Sequence, residues 1–125
     1  MAQGETVDHI SGKRGHPLPP DLSVDLTPPQ RHALEHHLRR EILRTLHRSD
    51  GPRSPAEIAA ALPAETSVSL VSYHAHVLES CDSLSLADVE PTGETLARRY
   101  TSKVAGDTRI VAILQATEPL DRPSN

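Results

Sequence analysis

The sequence contains no phenylalanine, no tryptophan and only two tyrosines among its 125 residues. A core of Leu, Ile, Val and Ala is therefore expected, which favours packed helices over an aromatic-rich β-sandwich. The single cysteine, Cys81, excludes an intrachain disulfide and a paired-cysteine metal site, so we expect it to be structural. Membrane-length apolar runs and the apolar segment of a signal peptide are also missing. These absences favour a small cytoplasmic protein without a membrane span.

Charge is of mixed sign, with 13 basic and 17 acidic residues and a formal net charge of −4. This balance argues against a non-specific nucleic-acid coat. The charges are nevertheless segregated along the chain. Arginines dominate residues 31–53, acids dominate residues 82–94, and residues 95–104 carry only basic charges. Net charge alone therefore does not identify the partner.

Helix signals begin after residues 1–26, a proline-containing stretch without apolar periodicity that we interpret as a disordered arm. Thr27 is a predicted N-cap, and apolar residues at three- and four-residue spacing over 34–46 predict one helix of roughly five turns. "SPAE", at residues 54–57, predicts a second, short helix with a capping box. A third helix is predicted to begin near Thr66 or Ser67 and to end near residue 80.

Two strands and a further helix are predicted after the third helix. "LSLADV", "EPTGE" and "TLARRYTS" indicate strand, turn and strand, with Pro91 and Gly93 in the turn. Asp107 is a predicted cap for a C-terminal helix within residues 105–116, and a disordered tail is expected at 117–125. The order predicts a mainly α fold with a small β-hairpin wing: a winged helix-turn-helix over residues 27–104, with a three-helix core and a two-stranded wing.

The third predicted helix has two chemically different faces. Its apolar stripe consists of Val68, Val71, Ala75 and Leu78. The opposite face carries hydroxyls, a phenol and an imidazole where a solvated face is usually rich in Lys and Glu: Ser69, Ser72, Tyr73, His76 and Ser80. Small side chains that form hydrogen bonds suit close approach to base edges in a DNA major groove. A tolerated surface is the alternative interpretation.

Four segments, "RREILRTL", "SPAEIAAAL", "VSYHAHVLES" and "LARRYTS", resemble the winged helix-turn-helix domains of ArsR-like transcriptional regulators. The resemblance spans about residues 39–102. It implies a sequence-specific DNA-binding regulator, a repressor, whose partner is double-stranded DNA. The residues that it implies for base contacts are Ser69, Ser72, Tyr73 and His76, and those for phosphate contacts are Arg98, Arg99 and Arg53. His74 is expected to be half buried and to orient the helix.

Other functions find less support in the residues. His32 and His36 have chelating spacing on a helix, but no complete ligand set accompanies them, so neither a metal nor a cofactor is predicted. No nucleophile elbow, phosphate loop or acid/base pair is present, so an enzyme is not expected.

A homodimer on paired half-sites is predicted, because one winged helix makes few base contacts. Apolar residues at 34, 38, 110, 111, 113 and 114 could pack within one chain or across two. The alternative function is a protein-interaction module that has lost DNA binding. It is based on the acidic balance, the acidic wing tip at Glu90 and Glu94, and the long turn "PAETSVSL".

Overall fold

The computed structural model describes residues 18–93 and 95–117, which form six helices and one antiparallel two-stranded sheet. The helices are α1 (Pro20–Ser23), α2 (Pro28–Leu34), α3 (His37–His47), α4 (Pro55–Ala60), α5 (Val68–Ser80) and α6 (Thr108–Ala116), and the strands are β1 (Leu84–Thr92) and β2 (Thr95–Ser102). The predicted winged helix-turn-helix fold is confirmed. In the described part of the chain, every helix is too short or too polar to cross a membrane.

The first long helix of the prediction is in fact two helices. Thr27 and Gln30 form a capping box that begins α2, but α2 ends at Leu34. The backbone of His36 is extended, and its Nδ1 accepts the Leu38 N–H at 3.0 Å, so His36 caps α3. The single helix was wrong because a histidine cap carries no proline or glycine signal. The apolar stripe is nevertheless buried, including Leu34 and Leu38.

Residues 18–26 are folded rather than part of a disordered arm. They include α1, and Ser23 and Leu26 are buried. Arg31 Nη2 donates to the Ser23 carbonyl at 3.0 Å, and Arg109 Nη1 donates to the Asp25 carbonyl at 2.9 Å. The predicted arm was therefore wrong for this stretch, and its residues 1–17 lie outside the described residues. Thr117, assigned to the disordered tail, is buried, and residues 118–125 also lie outside the described range.

The core is mainly aliphatic, as the composition predicts, and Tyr100 is its aromatic member. The three helices of the helix-turn-helix, α3, α4 and α5, contribute side chains to this core, together with the wing and α6. Val71, Ala75 and Leu78 are fully buried, which confirms three members of the predicted stripe. Val68 was assigned wrongly, since it is 47% exposed. It lies about 60° from Val71 around the helix, in the first turn of α5, where it lines an open groove beside the start of α4.

A Schellman motif ends α5 and directs the chain into the wing. Asp82 has a positive φ of 64°, its N–H donates to the Glu79 carbonyl at 3.0 Å, and the Ser83 N–H donates to the Leu78 carbonyl at 2.9 Å. Beyond it, β1 pairs with β2, with Val89 opposite Arg98 and Asp88 opposite Arg99. Gly93, also with a positive φ, lies in the hairpin turn. A backbone bridge between Arg53 and Tyr100 joins the wing to the start of α4.

Candidate nucleic-acid interface

The outward face of α5 carries the residues predicted to contact bases. Ser69 and His76 are exposed, Tyr73 is 61% exposed, and Ser72 is half buried. Ser67 caps the helix, because its Oγ accepts the Leu70 N–H at 3.1 Å. Since Val71, Ala75 and Leu78 hold the other face in the core, the helix cannot rotate without unpacking it. The polar side chains are therefore presented on a fixed support.

His74 lies on the buried side of α5, deeper than the predicted half-burial, with 4% of its surface exposed. Its Nδ1 is 3.1 Å from Arg39 Nη1. Because the guanidinium can only donate, Nδ1 must accept, and the ring is neutral with its proton on Nε2. Burial, then the positive charge of Arg39 and that of His37, lower the pKa of His74 to about 4.

Arg39 connects α5 to the end of α2. Its Nε donates to the Ala33 carbonyl at 3.2 Å, and its Nη2 donates to the His32 carbonyl at 2.8 Å. The carbonyls at a helix C-terminus lack partners within the helix, so this guanidinium supplies them while it also binds His74. One buried side chain therefore fixes α5 relative to the break between α2 and α3.

A group of aromatic rings surrounds His74. The His36 ring centroid is 4.3 Å from that of His74 and 4.8 Å from that of His37, and the Tyr73 ring meets His74 edge-on at 5.0 Å. His36 does not form the chelating pair considered with His32, because the helix is broken between them and His36 Nδ1 accepts the Leu38 N–H. His32 Nδ1 instead lies 3.9 Å from Glu35 Oε1.

An open groove of about 450 Å³ separates α5 from the wing. Its walls come from the start of α4, one side of α5 and strand β2: Ser54, Pro55, Ala56, Val68, Ser72, His76, Leu96, Ala97, Arg98 and Tyr100. The groove brings together three of the seven predicted DNA-contacting residues, namely Ser72, His76 and Arg98. Sequence patterns could not reveal it, because it depends on the register of the wing.

The three arginines predicted to contact phosphates have different surroundings. Arg98 is exposed on the wall of the groove and makes no ion pair with another residue that the structure describes. Arg99 is held by two acids: its Nε lies 3.3 Å from Asp88 Oδ1, and its Nη1 lies 2.6 Å from Glu90 Oε1. Arg53 Nη1 donates to the Pro52 carbonyl at 3.0 Å. Only Arg98 faces solvent without such engagement among these described contacts.

Three of the six arginines at residues 31–53, the basic block of the sequence, are buried. They are Arg39, Arg40 and Arg44. Arg40 Nη1 donates to the Leu34 carbonyl at 2.7 Å, and burial, followed by repulsion from Arg44, lowers its pKa to about 10. These charges stabilise helix ends rather than a surface for nucleic acid, so the apparent basic block does not form a basic patch.

Residues 34–82 match the family model described as a helix-turn-helix domain. The chain contains a helix-turn-helix domain. This match covers α3, α4 and α5 and supports a DNA-binding transcription regulator, a class of binding proteins rather than enzymes. It confirms the helix-turn-helix prediction.

A comparison with solved structures finds similarity to the ArsR-like transcriptional regulator from Rhodococcus sp. RHA1. The two chains are 21% identical, and the alignment covers 78% of this chain and 77% of that chain with a TM-score of 0.47. No curated protein matches the chain.

Proposed function

We propose that the protein is a cytoplasmic, sequence-specific DNA-binding repressor that reads the major groove with α5. The observation that carries the proposal is the exposed face of Ser69, Tyr73 and His76 on a helix whose opposite face is locked into the core. Hydroxyls donate to and accept from base edges, and the imidazole of His76 does the same. Repression follows if the bound protein blocks transcription from the DNA that it covers.

Arg98 is the proposed phosphate-binding residue beside this face. It lines the same groove as Ser72 and His76. A DNA strand that runs along this groove would therefore pass from the Ser72 hydroxyl on α5 to the Arg98 guanidinium on the wing. Phosphate contacts fix the register of a protein on the duplex, and base contacts supply specificity. Arg99 and Arg53 remain proposed contacts of smaller weight, because Asp88, Glu90 and a loop carbonyl already engage them.

A mobility-shift assay on the DNA upstream of the protein's own gene tests this proposal. We expect a specific complex at low salt and a weaker one at physiological salt, since counterion release makes affinity salt-dependent. Deleting the gene should raise transcription from the bound promoter if the regulator is a repressor. Failure of folded protein to shift any duplex at either salt concentration would contradict DNA binding.

A protein-interaction module is the second candidate. The wing exposes Leu86, Val89 and Leu96, while Asp88 and Glu90 neutralise Arg99. Exposed apolar surface is typical of contact sites for proteins. This candidate gains support if the folded protein shifts no DNA.

A further inference from the structure

Exposed apolar side chains concentrate on the proposed interface. Seven large apolar residues are exposed in the described part of the chain. Three are in the first two turns of α5 and three in the wing, and only Val24 lies elsewhere: Val24, Val68, Leu70, Tyr73, Leu86, Val89 and Leu96. Val68 was predicted to lie in the core, and no role was predicted for Leu70. Both are exposed on α5, the helix that is proposed to enter the major groove of DNA.

The backbone of Leu70 is held by the N-cap of α5, at the N-terminal end of the helix. Its N–H donates to Ser67 Oγ at 3.1 Å, and the next N–H, of Val71, donates to the Ser67 carbonyl at 3.1 Å. Leu70 is 44% exposed and lies three residues before Tyr73, so the two side chains are neighbours on the helix surface. The N-terminal residues of a recognition helix are those that contact base edges. Val68, in contrast, faces the groove beside the wing.

The chemistry of α5 limits which base features it can distinguish. Residues 68–80 contain no Arg, Lys, Asn or Gln, so the helix has none of the side chains that form bidentate pairs with guanine or adenine. Hydroxyls are permissive and pair with several bases. An apolar side chain contacts the C5-methyl group of thymine, which is presented in the major groove. Val68 and Leu70 are both exposed apolar residues in the first turn of α5. Val68 lines the groove beside the wing, whereas Leu70 does not line it and is the neighbour of Tyr73, so Leu70 is the one suited to methyl recognition.

We propose that Leu70 is a specificity-determining residue that contacts the C5-methyl group of a thymine in each half-site. The inference rests on the proposed DNA-binding function and deepens it, because it assigns the recognised DNA to thymine-containing half-sites.

The test replaces thymine by deoxyuridine in a duplex that the protein has selected from a random pool. Deoxyuridine keeps the base pair and the phosphates and removes only the methyl group. Substitution at the contacted position of one half-site should lower affinity about fourfold, which corresponds to one lost buried methyl, and substitution in both half-sites should lower it about 16-fold. Positions outside the contact should show no change.

Variants at position 70 connect this effect to the residue. Leu70→Ala should bind the thymine duplex about as weakly as the unaltered protein binds the duplex with deoxyuridine in both half-sites. The same variant should show no further loss with deoxyuridine. Leu70→Met, which keeps an apolar side chain of similar reach, should retain the methyl dependence. Val24→Ala removes an exposed apolar side chain outside α5 and the wing and should behave like the unaltered protein.

The possible results separate this inference from the function on which it rests. If no duplex is selected, both the proposed function and the inference fail. If specific duplexes are selected but deoxyuridine has no effect at any position, or the half-sites lack thymine, DNA binding stands and methyl recognition fails. A deoxyuridine effect that persists unchanged in Leu70→Ala would overturn the assignment to Leu70.

Discussion

Tyr73 and His74 are adjacent on α5, yet one faces solvent and the other is buried. A step of about 100° around the helix is enough to separate them. His74 is bound to Arg39 and fixes the helix, whereas the Tyr73 ring lies edge-on against His74 and the residue is largely exposed. The same pair therefore combines a rigid support with a side chain that is able to contact a partner.

Tyr73→Ala is expected to weaken specific DNA binding about tenfold, the effect of losing one good base contact. The melting temperature should hardly change, because most of the side chain is exposed in the folded state. Binding isotherms and thermal unfolding of the same sample measure the two quantities. Tyr73→Phe serves as the control that separates the hydroxyl from the ring. A large fall in melting temperature would show that Tyr73 supports the core.

The neutral, buried His74 makes stability depend on pH. Its pKa is about 4 in the folded protein against an ordinary value of 6.5, so the unfolded chain binds more protons between these values. The free energy of unfolding should be fully maintained above pH 6.5 and fall as the pH drops towards 4. The slope contributed by this group is at most about 1.4 kcal/mol per pH unit. Denaturant titrations at several pH values measure it.

Asparagine at position 74 is the matched control for this pH dependence. His74→Asn keeps an acceptor for Arg39 but has no titrating ring, so its slope should be shallower. His47, whose pKa is also lowered by burial, should account for part of the remaining slope. An unchanged slope in His74→Asn would show that His74 is not the titrating group.

At the scale of elements, a buried arginine attaches the last helix to the core. Arg44, on α3, donates through Nε and Nη2 to the Leu114 carbonyl at 3.2 and 2.8 Å, and through Nη2 to the Thr117 carbonyl at 2.7 Å. Its Nη1 lies 2.5 Å from Glu41 Oε2, within the same buried site. The carbonyls at the C-terminus of α6 therefore obtain partners from a side chain of α3.

Arg44→Met is expected to destabilise the protein by about 3–5 kcal/mol, the usual effect of removing one partner of a buried ion pair. Amides of α6 should lose protection against hydrogen exchange before those of α5, because the cap on α6 is lost. Adding Glu41→Gln should recover part of the stability, since the buried carboxylate charge is then removed as well. Equal loss of protection throughout α5 and α6 would argue against a local role at α6.

The wing contains two adjacent arginines with different expected effects on binding. Arg98→Ala should reduce the slope of log affinity against log salt by about one, the value for one lost phosphate contact. Arg99→Ala should change it less, because Asp88 and Glu90 already engage that guanidinium. Fluorescence anisotropy over a salt series measures both slopes. Equal decreases in slope for the two variants would contradict the smaller contribution that is expected of Arg99.

Local sequence signals predicted most elements, and contacts distant in sequence account for the errors. The Ser54–Glu57 capping box was predicted and is present, and α5 begins at Val68, capped by Ser67, close to the predicted start near Thr66 or Ser67. The break before α3 was missed, because His36 supplies its cap in place of a residue that favours this position. Arg44 was given no individual role, since nothing local indicates a carbonyl partner seventy positions later. Leu70 was missed because it belongs neither to the apolar stripe nor to the hydroxyl-bearing face that the helical spacing indicates.

At the scale of the whole molecule, the apolar residues considered for a dimer interface are mostly used within one chain. Leu34, Leu38, Ile110, Ile113 and Leu114 are all buried in the single chain, and Val111 is half buried. The homodimer remains a prediction. The homodimer is supported by the small number of base contacts that one winged helix can make, which favours binding to paired half-sites.

Binding to DNA with one or two half-sites tests the homodimer directly. Two linked copies share a high effective concentration on paired sites, so removing one half-site should lower affinity by at least about 100-fold. Sedimentation should give two chains per duplex with both half-sites. Inserting about five base pairs between them, half a helical turn, should weaken binding in the same way because the sites then face opposite sides of the duplex. Equal affinity for all three duplexes would mean that a single chain is the binding unit, and α5, Arg98 and Leu70 would have to supply the specificity alone.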